Sequence, residues 1–199
     1  AMKIGELIML ATNLQPFLMG IAVSVLVGIA LTLPISSAAI CAAFGLTGLA
    51  GGAAVAGCCA QMVGFAVMSF KENRWGGLVS QGIGTSMLQM GNIIKNPRIW
   101  IAPIVTSAIT GPMATCLFKL QMNGTPVSSG MGTCGFVGQI GVYSGWVNDI
   151  ANGTKAAITG FDWAGMILIS FVLPAVLCPL INMLLKKIGW VKDGDMKLS

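Results

Sequence analysis

From Leu7 to Phe70 the chain carries no Asp, Glu, Lys, Arg or His. A membrane-spanning helix needs only about 20 apolar residues, so this run is long enough to cross a bilayer more than once. A soluble domain would have to bury all of it, and a chain of 199 residues lacks the shell to do so. The pattern therefore predicts an all-α, polytopic integral membrane protein, organised as a single membrane domain over residues 1–199.

Breaks in the apolar pattern divide the chain. Leu7–Leu33 reads as a first span, with Pro16 near one end and Pro34 closing the other. Ser36–Leu49 is apolar but short, and it ends at Gly51-Gly52; it reads as a re-entrant hairpin or half-helix. Ala53–Phe70 is the second span, followed by the aqueous loop Lys71-Glu72-Asn73-Arg74. Trp75–Ile94 has no charge yet contains Gln81, Gln89 and Asn92, so it must face protein or water rather than lipid on all sides. Lys95-Asn96-Pro97-Arg98 marks another basic boundary before the third span, Ile99–Leu117. Asn123–Gly132 is a polar turn. Thr133–Trp146 is Gly-rich and charge-free, and reads as a second re-entrant hairpin or broken helix. A polar loop over Asn148–Asp162 leads to the last span, Trp163–Leu185, and to a tail with Lys186, Lys187, Lys192 and Lys197.

Basic residues fix the expected orientation, because cytoplasmic loops of membrane proteins are enriched in Lys and Arg. Four full spans bring Lys71/Arg74, Lys95/Arg98 and the C-terminal lysines to the cytoplasm, provided that Ser36–Leu49 and Thr133–Trp146 dip and return on the outer side. Trp75–Ile94 then dips and returns on the inner side. A weak internal repeat, 7–74 and 99–188, accompanies this map: Pro34-Ile35-Ser36-Ser37 with Phe44, and Pro126-Val127-Ser128-Ser129 with Phe136, match at one common offset. Both duplication and chance account for so short a match.

Composition narrows the function. Charged residues make up 9% and mean hydropathy is +0.85, against roughly 25% charged in soluble domains. The net charge of +5 is confined to loops and ends, which reads as topology rather than nucleic-acid binding. Without His there is no phosphohistidine domain, His relay or haem site. Cys41, Cys58, Cys59, Cys116, Cys134 and Cys178 lie in apolar or Gly-rich segments without metal-ligand spacing. No catalytic triad, phosphate-binding loop or metal cluster is recognisable, so no independent enzyme and no cofactor is expected. No cleavable signal peptide is recognisable, and Ala1 before Met2 reads as an added residue, leaving the natural start at Met2 or upstream.

The candidate chemistry is neutral. Gln81, Thr85, Gln89, Asn92 and Asn96 in one Gly-rich segment, and Ser128, Ser129, Thr133 and Gln139 in the other, both donate and accept hydrogen bonds. A neutral sugar needs such a lining. On one helix, Gln81, Thr85, Gln89 and Asn92 fall on a single face. Taken singly, each of these side chains reads better as helix-packing glue; taken as a cluster, they read as the lining of a polar cavity.

Gln81-Gly-Ile-Gly-Thr-Ser-Met-Leu-Gln89, running on to Asn92 and Lys95-Asn-Pro-Arg-Ile-Trp-Ile101, together with Ser129-Gly-Met-Gly-Thr-Cys-Gly-Phe-Val-Gly-Gln139, resembles the IIC-like membrane proteins of the bacterial phosphoenolpyruvate-dependent sugar phosphotransferase system. The branch it is most similar to is that of toxin regulators of the perfringolysin-regulator type. The resemblance runs from about Gln15 to Leu185. It implies a permease fold in the bacterial inner membrane, usually a homodimer, with a neutral sugar held near re-entrant hairpins and phosphorylated by separate IIB and IIA proteins. The C-terminus would be cytoplasmic. Two departures stand out. The Glu of the Gly-Ile-Thr-Glu-like motif has no counterpart, since no Glu follows Glu72. Family members also have further membrane segments ahead of the matched region, so the chain corresponds to the C-terminal transport-domain part of a longer protein or to a reduced form. A membrane regulator that binds a ligand or partner without transport is the competing expectation.

Overall fold

The computed structural model describes residue 8 and residues 10–198; expectations placed on residues 1–7 lie outside them. The fold is helical. Helix α1 (Pro16–Thr32) precedes a short α2 (Ser37–Phe44), a central α3 (Gly48–Met68) and α4 (Phe70–Val79). Then come α5 (Met90–Lys95), the long α6 (Pro97–Leu117), the single turn α7 (Pro126–Ser129), α8 (Val137–Ala151) and the long α9 (Gly160–Lys187). Helices α3, α6 and α9 are long and apolar enough to cross a membrane. Helix α1, the remaining expected span, has 17 residues and is preceded by helical residues 10–14, with the break at Gln15-Pro16.

Helix α3 is the axis of the bundle. Eighteen of its 21 residues are buried, and α1, α6 and α9 pack around it. Its Gly-, Ala- and Cys-rich sequence explains this position. Lipid tails are as apolar as Leu, so membrane helices associate through close packing of small residues rather than through hydrophobic contrast. Gly20, Ser24 and Gly28, spaced by four on α1, form the matching stripe. Ser24 donates to the Ser107 carbonyl at 2.8 Å, and Ser107 donates to the Gly57 carbonyl at 3.4 Å, joining α1, α6 and α3 at one point. Large apolar side chains such as Leu18, Leu26, Val176, Leu180 and Leu184 point outward, as lipid contact requires.

The second span starts earlier than its sequence indicated. Ala53 was the expected first residue, yet α3 begins at Gly48 and runs through Gly51-Gly52. Those glycines serve close approach rather than a turn: a Cβ on Gly52 would lie 1.8 Å from the Leu120 carbonyl oxygen. The expected polar loop from Asn148 is also shortened, because α8 continues as helix through Asn148 and Asp149 to Ala151.

The Pro-Ser-Ser segments clasp each other. Ser36 caps α2 by accepting from Ala39 N, and the chain reverses at Gly45, whose φ of 63° is left-handed. Gly48 and Met122 exchange both backbone hydrogen bonds at 3.0 Å as an isolated antiparallel bridge. Ser37 Oγ donates to the Gly130 carbonyl and Ser129 Oγ to the Leu46 carbonyl, each at 2.7 Å. Ser37→Ala and Ser129→Ala are each expected to cost about 1 kcal/mol, by loss of one net hydrogen bond. Thermal unfolding in micelles checks this, and no change in either variant would mean the clasp does not hold the halves together.

Candidate functional site

Between α4 and α5 the helix is interrupted. Residues 80–84 form a wide π-helical turn, Thr85 is extended (φ −158°, ψ 141°), and residues 86–89 make a tight turn that Thr85 caps by accepting from Met87 N at 3.2 Å. The single helical face expected for Gln81, Thr85, Gln89 and Asn92 is therefore corrected: the helix unwinds at Thr85, whose side chain caps the following turn. The three amides still meet through the break. Gln89 Nε2 donates to Gln81 Oε1 at 2.8 Å, and Asn92 Nδ2 donates to Gln89 Oε1 at 2.8 Å. Gln81 itself is anchored on Ser69 Oγ at 2.9 Å and on the Gly77 carbonyl at 3.0 Å.

The outer end of this chain of amides is bound to the segment after α9. Gln89 donates to the Met196 carbonyl, Asn92 to the Lys197 carbonyl, and Asn96 to the Trp190 carbonyl and to Asp195 Oδ2. Glu72 and Asn73, which the sequence offered only as loop residues, bind the same segment. The stretch from α4 to α5 thus leaves and returns at one end of the molecule. The Lys186 ammonium, hydrogen-bonded to Asp193, holds that carboxyl below its ordinary value. The stabilisation this pair gives is present above the unfolded-state value and is lost as pH falls through the lowered one; full exposure keeps it small.

The second Gly-rich group is distributed differently. Ser128 pairs with Thr125 at 3.0 Å, and Ser129 belongs to the clasp. Thr133 donates to the Gly82 carbonyl, so the two Gly-rich segments touch there. The void beside that contact, about 230 Å³, is lined by Val63, Val67, Ile83, Phe136 and Phe171 and is apolar. Gln139 reaches Cys59 Sγ at 3.4 Å, while its Oε1 is buried without a partner. Another unpaired buried atom, Gln61 Nε2, marks a seam that sequence reasoning missed. Gln61 Oε1 accepts from Thr32 at 3.2 Å and from Trp100 Nε1 at 2.8 Å, and Thr32 also pairs with Ser86 at 2.9 Å. Gln61 is the only amide in the apolar run 53–70, which was the available signal.

A polar cavity of about 560 Å³ opens at the opposite end of α6 and α9. Phe118, Trp146 and Phe161 give it aromatic walls; Gln121, Asn123 and Asp149 give it hydrogen-bonding groups. Asn123 Nδ2 donates to Asp149 Oδ2 at 2.8 Å and to Gln121 Oε1 at 3.2 Å. Lys155 bridges to Asp162 at 2.8 Å, and Thr159 and Asp162 form a capping box at the start of α9. Trp146 is 3% exposed and meets Trp163 edge-on with ring centroids 5.6 Å apart. Spaced three to four apart on α8, Gln139, Val142, Trp146 and Asp149 line one helix face. That face runs from the cavity to the unpaired Gln139 amide oxygen.

Apolar helices that expose their bulky side chains and turn amides and hydroxyls inward define a polytopic membrane protein with a polar interior. A family model described as phosphotransferase system, EIIC, matches residues 1–198, and the chain belongs to that family. It is a membrane component of the sugar-permease type, and the family implies a sugar substrate and IIA and IIB partner proteins. No curated protein and no solved structure matches the chain.

Proposed function

We propose that this chain carries a neutral sugar across the bacterial inner membrane, and that the observation carrying this reading is the cavity of about 560 Å³, with its aromatic walls, the amides of Gln121 and Asn123, and a charged rim of Lys119, Asp149, Lys155 and Asp162. The C–H faces of a pyranose pack on aromatic rings, and its hydroxyls pair with amides that both donate and accept. The inner face of α8 leads from the cavity towards Gln139, where an unpaired buried oxygen supports a polar guest. In this reading the sugar would pass Thr133 and Ser128/Ser129 next, and then Gln81, Thr85, Gln89, Asn92 and Asn96 towards the other end. That end holds Lys71, Arg74, Lys95, Arg98, Lys186, Lys187, Lys192 and Lys197, a concentration that supports a cytoplasmic placement of the C-terminal segment. There the sugar would meet a IIB partner.

The test is thermal unfolding of the purified protein in detergent against unphosphorylated hexoses, N-acetylhexosamines and disaccharides. One of them is expected to stabilise the chain, by about 2.7 kcal/mol at a hundredfold excess over Kd. Gln139→Leu should weaken that sugar at least tenfold; undiminished binding removes Gln139 from the site. A regulator that binds without transport has one observation in its favour: the amides of Gln89, Asn92 and Asn96 are all engaged within the chain. Sugar flux in proteoliposomes separates the two readings.

A further inference from the structure

After α9 the chain reverses at Gly189, whose φ is 80°, and residues 190–198 lie back across the end of the bundle. They are held as a bound peptide would be. Glu72 accepts from the N–H groups of Gly194 and Met196 at 2.8 and 3.0 Å. Asn73 accepts from Leu198 N at 2.8 Å and donates to the Met196 carbonyl at 2.8 Å. Val191 and Met196, 1% and 0% exposed, enter the apolar cluster of Phe65, Met68, Ile93 and Ile99. The polar contacts are mostly to backbone, so the groove reads the main chain of a turned segment with two apolar anchors.

The donors engaged are those expected to face a sugar. A primary amide has two N–H groups. Gln89 gives its pair to Gln81 and Met196, Asn92 to Gln89 and Lys197, and Asn96 to Trp190 and Asp195. Of these six donors, four end on residues 190–198, and none is left for a ligand. A sugar that accepts from the N–H groups of Gln89, Asn92 or Asn96 and the docked segment therefore exclude each other.

We infer that residues 190–198 are a cis-bound stand-in for ligand, a latch that must undock before the amides of Gln89, Asn92 and Asn96 can hold a sugar. The inference rests on the sugar-permease reading for the identity of the competitor, and on the hydrogen bonds alone for the latch. Its attachment suits release. Water competes for the exposed bonds Glu72–Gly194, Asn92–Lys197 and Asn96–Trp190, and only two side chains are anchored in the interior, which places the segment among locally opening units. Linkage then runs both ways: whatever factor the latch takes from sugar affinity, sugar takes from latch docking.

Hydrogen exchange of the full chain in micelles, with and without the sugar panel, tests this in the parent and in Glu72→Gln, which removes one of the two carboxylate acceptors. The Gly194, Met196 and Leu198 amides are expected to exchange far faster than those of α3, and at least tenfold faster again in Glu72→Gln, with α3 unchanged. A stabilising sugar should abolish their protection and bind several-fold tighter to Glu72→Gln. Exchange of the three amides at the α3 rate in both proteins would overturn the latch, because the segment would then open only with the bundle. A sugar that stabilises the chain but leaves the three amides protected overturns the competition and leaves the permease reading standing. A sugar that acts on Glu72→Gln alone supports the latch directly. No sugar effect on either protein overturns the permease reading together with the competition.

Discussion

Gly57→Val is expected to prevent formation of the bundle. A Cβ at Gly57 would sit 1.8 Å from the Ser24 carbonyl oxygen and 2.5 Å from its carbon. The obstacle is backbone, so no rotamer change relieves it. The other side of the same residue is equally close: its carbonyl accepts from Ser107 and lies 2.8 Å from where a Cβ on Gly28 would stand. Overpacking a core that can yield costs about 1–3 kcal/mol. Relief here requires α1 to separate from α3, which places the loss at about 4 kcal/mol or more. That is a large part of the roughly 5–15 kcal/mol that holds a typical fold. Size-exclusion profile and thermal unfolding in micelles measure the effect. Gly76→Val is the control, since nothing lies within 4 Å of a Cβ at that position. A parent-like melting temperature for Gly57→Val would contradict the α1–α3 contact.

Trp146→Ala is expected to lower stability by about 3–5 kcal/mol and to abolish sugar binding. The indole is nearly buried, packs in a cluster with Met166 and Ile169, and forms one wall of the cavity of about 560 Å³. Removing it leaves a void among side chains that cannot all close in. Trp146→Phe keeps a ring and much of the packing, so it should fold better than the Ala variant yet bind more weakly than the parent. Unfolding curves and sugar titrations on the two variants separate the contributions. If both bind sugar as the parent does, the cavity is not where the ligand sits.

Three of the long apolar helices were legible in the sequence because charges mark one or both of their ends: Lys71 after α3, Arg98 at the start of α6, and Asp162 and Lys186 near the ends of α9. Their limits were less legible. Gly51-Gly52 resembles a turn when read locally, and only the approach of Leu120 to Gly52 and of Met122 and Ser129 to Gly51 shows why a helix keeps two glycines there. The polar character of residues 75–94 was readable, and so was the need for those amides to face something other than lipid. What they face was not, because the partners come from residues 190–198, about a hundred positions away, and backbone carbonyls leave no mark in a sequence. The cavity was hidden for a similar reason. Its walls come from residues 118–123, from Trp146 and Asp149 on α8, and from residues 154–162, none of which is distinctive alone.

The clasp between the two Pro-Ser-Ser segments bears on how the protein is made. The Leu46 carbonyl and both backbone groups of Gly48 find their partners at Ser129 and Met122. During synthesis the first half is therefore in place while its non-helical backbone still lacks those bonds, and the chain must lengthen past residue 129 before they close. Unsatisfied backbone groups are costly in lipid. The early half is in this sense an unfinished edge, dependent on the insertion machinery or interfacial water until the later residues arrive. Biogenesis, rather than the finished bundle, is where the clasp makes its greatest demand.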